Sequence, residues 1–357
     1  MKLYGYVTFA STLLALGLSL PTPARASEFL LVDVNGSAQI KRSGQSQYQS
    51  ARGGMRLSTG DLVRTEGGAQ VRIRCSDLTT TWTMNSNIER GVVWGCPPDG
   101  GFSLRVGRQS DNTLGGIDPT LPYVITPRRT IISDSQPMLR WNSVAGASRY
   151  TVQVIGSDVT WETEVSGTQV QYPGTPPLSP GVDYRVIVEA DTGVSSQLDV
   201  GSETATFELL YPEDLYLVAA DVAQIREQGF PEETEALAIA DIYIREDLLA
   251  EAIATLEPFV ASGTQTLEVY QVLGDIYRYI GLNLLAQERY EQAIAIATSN
   301  EEIQGLADAR SGLAEVNVLL EQPQVAIELL IEAQSGYERL NDTERIQELQ
   351  ARIDDLT

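Results

Sequence analysis

Ala240-Asp-Ile-Tyr243-Ile-Arg-Glu-Asp-Leu-Leu-Ala-Glu-Ala252-Ile-Ala-Thr-Leu256 is echoed 34 residues later by Gly274-Asp-Ile-Tyr277-Arg-Tyr-Ile-Gly-Leu-Asn-Leu-Leu-Ala286-Gln-Glu-Arg-Tyr290. A third copy follows 40 residues further on, with Ala314, Ala326 and Leu330 in the same relative places. Each copy reads as two short amphipathic helices, with one small residue on each helix where the two backbones must approach closely. One such hairpin is too small to bury its apolar stripe, so the copies are expected to stack and share a core.

Working outward, the expected helix pairs are 233–244 with 247–257, 267–279 with 283–297, and 306–320 with 323–338. Pro258 is read as the end of the first pair, and six extra residues at 300–305 lengthen a connection or a helix. Before them a helix over 214–228 is expected to bury Leu215, Leu217, Val218, Val222 and Ile225. After them a polar helix to Leu356 carries Ile346, Leu349 and Ile353, capped by Asp342 or Thr343. At the start of residues 119–210, the segment holding Pro122, Pro127 and Arg128-Arg129 reads as a linker, ahead of the strand-like runs that follow.

The 357 residues leave room for two or three domains, and 43% hydrophobic with 20% charged residues is globular composition. The formal charge of -23 is uneven: residues 211–357 hold 29 acids against eight bases, whereas residues 27–118 are nearly balanced. So acidic an end disfavours nucleic acid and anionic lipid and favours basic partners or cations, although most such charges serve to solvate helix faces. Histidine is absent. That removes the commonest general base and metal ligand, and with no metal-ligand cluster or Gly-rich phosphate loop we expect no catalytic residues, no cofactor and no metal. Glu162 and Glu164 share one strand face, but glycosidase carboxylates come from different elements around a cleft, so they are not taken as a catalytic pair.

Residues 1–26 read as a secretory signal peptide. Lys2 precedes an apolar run from Val7 to Leu20, and Ala24-Arg-Ala26 ends it in small-x-small form. The competing reading keeps this run as an uncleaved anchor; no lipobox cysteine follows it, which argues against a lipoprotein. No later run reaches 18 apolar residues, so stable membrane insertion after cleavage is not expected. Export to the periplasm, envelope or medium would let Cys75 and Cys96, the only cysteines, form a disulfide worth about 3 kcal/mol. Two buried thiols are the alternative.

Residues 27–118 alternate in short apolar runs divided by Gly, Asn and Asp, an all-β pattern. Within them Gly53-Gly-Met-Arg-Leu57-Ser-Thr-Gly60-Asp61-Leu-Val-Arg-Thr65-Glu-Gly-Gly-Ala69 resembles the FecR-type domain, and that resemblance implies a periplasmic sensor or signalling component. Arg72 and Arg74 share one strand face, either solvated or anion-binding. Residues 119–210 show five strand-like runs. There Leu178-Ser-Pro180-Gly181-Val-Asp-Tyr184 resembles the tyrosine corner of fibronectin type III domains, with Trp141 as the core tryptophan of a β-sandwich.

Residues 211–357 resemble the tetratricopeptide (TPR) repeat family, with about three repeats and a C-terminal capping helix. The resemblance implies an α-solenoid whose first helices line a partner groove. Carried over position by position, the groove-facing residues are Asp241, Ile244, Arg245, Gln271, Asp275, Arg278, Tyr279, Glu315 and Val318, while Tyr243 and Tyr277 belong to the core and Asn317 replaces that tyrosine in the third repeat. The whole is similar to bacterial envelope proteins, cyanobacterial ones among them. It implies a non-enzymatic exported adaptor or scaffold that binds a protein or peptide partner, with β domains for docking. The alternatives are a cell-envelope carbohydrate or peptidoglycan binder acting through the β domains, and the sensor.

Overall fold

The computed structural model describes residues 29–42, 47–57, 61–75, 81–85, 89–92, 114–227 and 229–357. The proposed signal peptide and Cys96 lie outside the described residues; Cys75 is buried and disulfide-bonded. The chain is multidomain, and among the described residues β structure is followed by eight α-helices.

The first β unit is built on two long antiparallel strands, β1 (Phe29–Lys41) and β4 (Leu62–Arg74). Shorter strands flank them: β2 (Tyr48–Ser50), β3 (Arg56–Leu57), β5 (Thr81–Asn85) and β6 (Glu89–Gly91). Asn35-Gly36 divides the apolar runs at 30–34 and 38–40 in the sequence, yet it is a bulge inside β1. Gly36 has φ +95°, and a Cβ there would lie 2.8 Å from that of Ala69 across the ladder, so only glycine lets the strand pass. Gly67 and Gly68 likewise lie inside β4. Asp61 is buried and takes Arg42 at 2.5 Å. Arg72 pairs with Asp33 at 3.2 Å in solvent, whereas Arg74 on the same face is half-buried.

The second unit is a two-layer sandwich. Its strands are β7 (Val124–Thr126), β8 (Thr130–Ile132), β9 (Met138–Trp141), β10 (Tyr150–Ile155), β11 (Thr160–Val165), β12 (Gln169–Gln171), β13 (Tyr184–Ala190) and β14 (Thr206–Leu209). One sheet runs β11-β10-β13-β14-β8 and the other β12-β9-β7. Inward residues alternate along β10 and β13, and Trp141 packs edge-on to Tyr150, centroids 5.5 Å apart. The Tyr184 phenol accepts the Ser179 N–H at 2.7 Å and donates to Asp158 at 2.9 Å, fixing the chain that enters β13. Glu162 accepts from Gln153 at 2.6 Å and Glu164 pairs with Arg149 at 2.7 Å, each tied up on an exposed face.

The helices are α1 (Pro212–Arg226), α2 (Glu232–Arg245), α3 (Leu249–Ala261), α4 (Leu267–Tyr279), α5 (Asn283–Ser299), α6 (Ile303–Leu319), α7 (Pro323–Leu340) and α8 (Thr343–Leu356). The small residues of the echo do what their size suggests: Ala240, Ala252, Ala286, Ala314 and Ala326 are all buried where helices cross. The extra residues at 300–305 lengthen both α5 and α6 to 17 residues each. Pro258 sits inside α3, one turn before its end, beside solvent-exposed Ala254, whose carbonyl loses its helical donor toward water. The Asp342 side chain caps α8 through the Arg345 N–H at 3.1 Å. On α1 the expected apolar face is only half realised. Val218 and Val222 are buried against α2, but Leu215 and Leu217 are 39% and 61% exposed because only one neighbouring helix packs there.

Turns within the three hairpins share one geometry. Asp247, Gly281 and Glu321 adopt left-handed φ, and the next N–H bonds the carbonyl five residues back, as in Leu248 to Tyr243, Leu282 to Tyr277 and Gln322 to Asn317. The residue after the left-handed position is a fully buried leucine in the first two turns and an exposed glutamine in the third. The sandwich supplies the difference, because it covers the first two turns.

Candidate functional site

The Pro-rich stretch read as a linker is instead the joint between sandwich and helices. Arg128 is 2% exposed. Its guanidinium donates to the Ile280 carbonyl at 2.8 Å, the Gly201 carbonyl at 2.9 Å and, more weakly, the Val124 carbonyl at 3.4 Å. Asp199, also buried, stands at 3.5 Å as counter-ion and accepts the Gly116 N–H at 2.9 Å. Burial drives the Arg128 pKa down and the Asp199 carboxyl up, each opposed by the attraction of the other. The guanidinium fork suits this task because it serves several acceptors at once in a dry site. Around it, Thr130 Oγ1 donates to the Asp247 carbonyl and accepts the Leu249 N–H, while Ile131 N–H donates to Asp247. Gly115 fits against the α4–α5 turn, where a Cβ would meet the Gly281 carbonyl oxygen at 2.7 Å.

The joint claims one of the residues expected to face a groove. Tyr279 lies under the Arg129 guanidinium, 4.3 Å from centroid to carbon, and its carbonyl accepts from Arg129 at 3.3 Å. It belongs to the interface with the sandwich rather than to an open groove, a correction that follows from its place one turn from the docked α4–α5 turn.

The remaining eight lie on α2, α4 and α6, and many are engaged within the chain. Asp275 accepts the Tyr290 phenol, which reaches it from the next helix, and the charge of Arg278 acts on both. The Tyr290 ring passes between two glycines: a Cβ at Gly274 would approach it to 3.0 Å and one at Gly312 to 2.4 Å. Burial pushes the Asp275 carboxyl and the Tyr290 phenol up; the neighbouring Arg278 works against the shift. A second phenol–carboxylate pair, Tyr337 to Asp308, bridges α7 to α6. Gln271 donates to the Gly305 carbonyl at 2.9 Å, and Glu315 forms a two-pronged pair with Arg352 of α8 at 2.9 and 2.8 Å. Ile244 and Val318 are half-buried against their cores. Asn317 turns its amide back to the Leu313 carbonyl at 2.8 Å.

Asp241 differs. Leu256 stands where the second hairpin has Tyr290, so no phenol reaches this carboxylate, and its ion pair is with Arg245 at 3.3 Å. Burial pushes the Asp241 pKa up to about 6, against the pull of Arg245. Tyr277, expected in the core, is buried and donates to Glu257 at 2.6 Å; Tyr243 is half-buried. Sequence reasoning missed Glu257 and Arg289, which pair at 3.2 Å beside Tyr277; they are 32 residues apart, off the 34-residue period, so the repeat carried no signal for them. Among the described residues no group of carboxylates and cysteines could hold a metal ion, and no helix is long and apolar enough to cross a membrane.

No family model and no curated protein matches the chain. Among solved structures, BtubC (BKLC) from P. vanneervenii is 19% identical with a TM-score of 0.35, over 40% of this chain and 63% of that one. The FN1-FN3 domains of chicken CNTN1 are 11% identical with a TM-score of 0.17, over 48% of this chain and 57% of that one. The chain thus spans less than two thirds of either, and both likenesses are too weak to carry an argument about fold or function.

Proposed function

We propose that this protein is an exported, non-enzymatic adaptor, with a FecR-like domain at 27–118, a fibronectin III-like sandwich at 119–210 and a TPR-like array at 211–357. The array holds a polypeptide segment of a partner against the faces of α2, α4 and α6, and the β units dock elsewhere. One observation supports this reading most. The sandwich grips the array by its turns and along α3, and no described strand runs along α2, α4 or α6. Those faces mix exposed Arg245 and half-buried Ile244 with the carboxylate of Asp241, the blend of charge and apolar surface that peptide recognition uses. The charge of the region favours a basic segment.

A photo-crosslinking residue placed at position 245 of the full chain, expressed in its own host, tests the proposal. A discrete covalent adduct identified by mass spectrometry is expected, and none from the same probe at exposed position 350 on α8. The same adducts at both positions, or none at 245, overturn it.

A further inference from the structure

Apart from these faces, a cleft of about 560 Å³ opens between the sandwich and the outer side of α3. Its walls are apolar over much of their length, with Ile132 and Met138 on the sandwich and Ile253 and Pro258 on the helix. Met138 is 42% exposed there, an unbranched and adaptable side chain held open to solvent. Two carboxylates, Glu251 and Asp134, stand together at the wall. Glu251 Oε1 accepts the Ser133 N–H at 2.5 Å and its hydroxyl at 2.7 Å. Its Oε2 is buried and has no hydrogen-bond partner.

Among the described residues no arginine or lysine pairs with either acid, and the charge acting on Glu251 is the repulsive one of Asp134. The third acid of the lining, Glu257, is already matched by Arg289. Burial, with Asp134 beside it, holds the Glu251 carboxyl above the usual carboxylate range, and a cation placed there would favour its charged form. An apolar channel leading to it suits a cation on an aliphatic stem.

The geometry points to a binding site for a lysine or arginine side chain of a partner polypeptide. The stem lies against Met138, Ile253 and Pro258, and the cationic head sits on Asp134 and Glu251. The site is separate from the α2–α4–α6 faces and does not depend on the adaptor reading above.

Saturation-transfer NMR and calorimetry on the full chain, with Nα-acetyl-lysine N-methylamide as probe, test it. The norleucine and glutamate analogues serve as comparisons. The lysine probe should bind saturably, and norleucine about tenfold or more weaker, since the head group then contributes 1.4 kcal/mol or more. Asp134→Asn with Glu251→Gln should weaken lysine by a similar factor. Ala254→Trp, introduced at an exposed position of the cleft wall, should abolish binding while the helical circular dichroism stays unchanged. No saturable lysine binding, norleucine as tight as lysine, a preference for glutamate through Arg140, which also lines the cleft, or full affinity in Ala254→Trp each overturns the assignment. Should the double variant fail to fold, the Ala254→Trp and norleucine results decide.

Discussion

Replacing Arg128 with methionine keeps the length and most of the volume of the side chain but removes its donors. Two buried carbonyls, Ile280 at 2.8 Å and Gly201 at 2.9 Å, then lose their partner, and Asp199 is left buried without its cation. Removing one member of a buried ion pair costs about 3–5 kcal/mol, most of it the desolvation of the charge left behind. An orphaned carbonyl adds about 1 kcal/mol or more. We therefore expect Arg128→Met to lose about 4 kcal/mol of the coupling between sandwich and helices. Asp199→Asn in the same chain should restore roughly half, because the uncompensated charge is gone while the carbonyls stay unserved. Guanidinium denaturation followed by helical circular dichroism and by tryptophan fluorescence, in a chain whose Trp82 and Trp94 are replaced by phenylalanine so that only Trp141 and Trp161 of the sandwich report, resolves this. The two signals should coincide in the wild type and separate in Arg128→Met. A shift under about 1 kcal/mol, or no recovery in the double variant, would refute the view that this arginine holds the joint.

Gly312→Ala should destabilise the array by about 1–3 kcal/mol despite the better helix propensity of alanine, because the methyl meets the Tyr290 ring at 2.4 Å and Gly274 blocks its retreat. Gly305→Ala should cost less, since there the clash is with the flexible end of Leu267; urea titration of both variants ranks them. Tyr290→Phe should lose about 1–3 kcal/mol by leaving Asp275 without its phenol, read from the same titration. For Asp241 the folded pKa of about 6 lies above the unfolded value of 3.8, so the native state binds the extra proton and stability falls as pH rises from about 4 to 6. Asp241→Asn should flatten that fall and raise stability at pH 7.5 by up to about 3 kcal/mol; an unchanged slope in urea melts at pH 4.5 and 7.5 would count against the buried carboxylate.

Much of the architecture could be read from local pattern. The echo of Ala240 by Gly274 located helix pairs to within a few residues, because small residues at helix crossings and left-handed turns recur with the repeat. The five main sandwich strands followed from alternation. Misreadings came where a partner far along the chain decides the outcome. Arg128-Arg129 between prolines looks solvent-facing until the acceptors at Gly201 and Ile280 are known. Asn35-Gly36 has the composition of a turn, and only Ala69 on the opposite strand makes it a bulge. The residues carried over as groove-facing lie on α2, α4 and α6, but their internal partners were not visible. Nothing local ties Asp275 to Tyr290 or Glu315 to Arg352, although glycines at 274 and 312 mark the space a ring must cross.

The buried leucines at 248 and 282, set against the exposed glutamine at 322, show that the sandwich holds two hairpins and not the third. Mechanically the array is a cantilever fixed at its first half. Force applied near α8 is carried through the α4–α6 core to the Arg128 joint, so that joint, rather than any stretch of flexible chain, sets how stiffly the far end is held. The same asymmetry makes the third turn the place where a further hairpin could be inserted to lengthen the arm without disturbing its mounting.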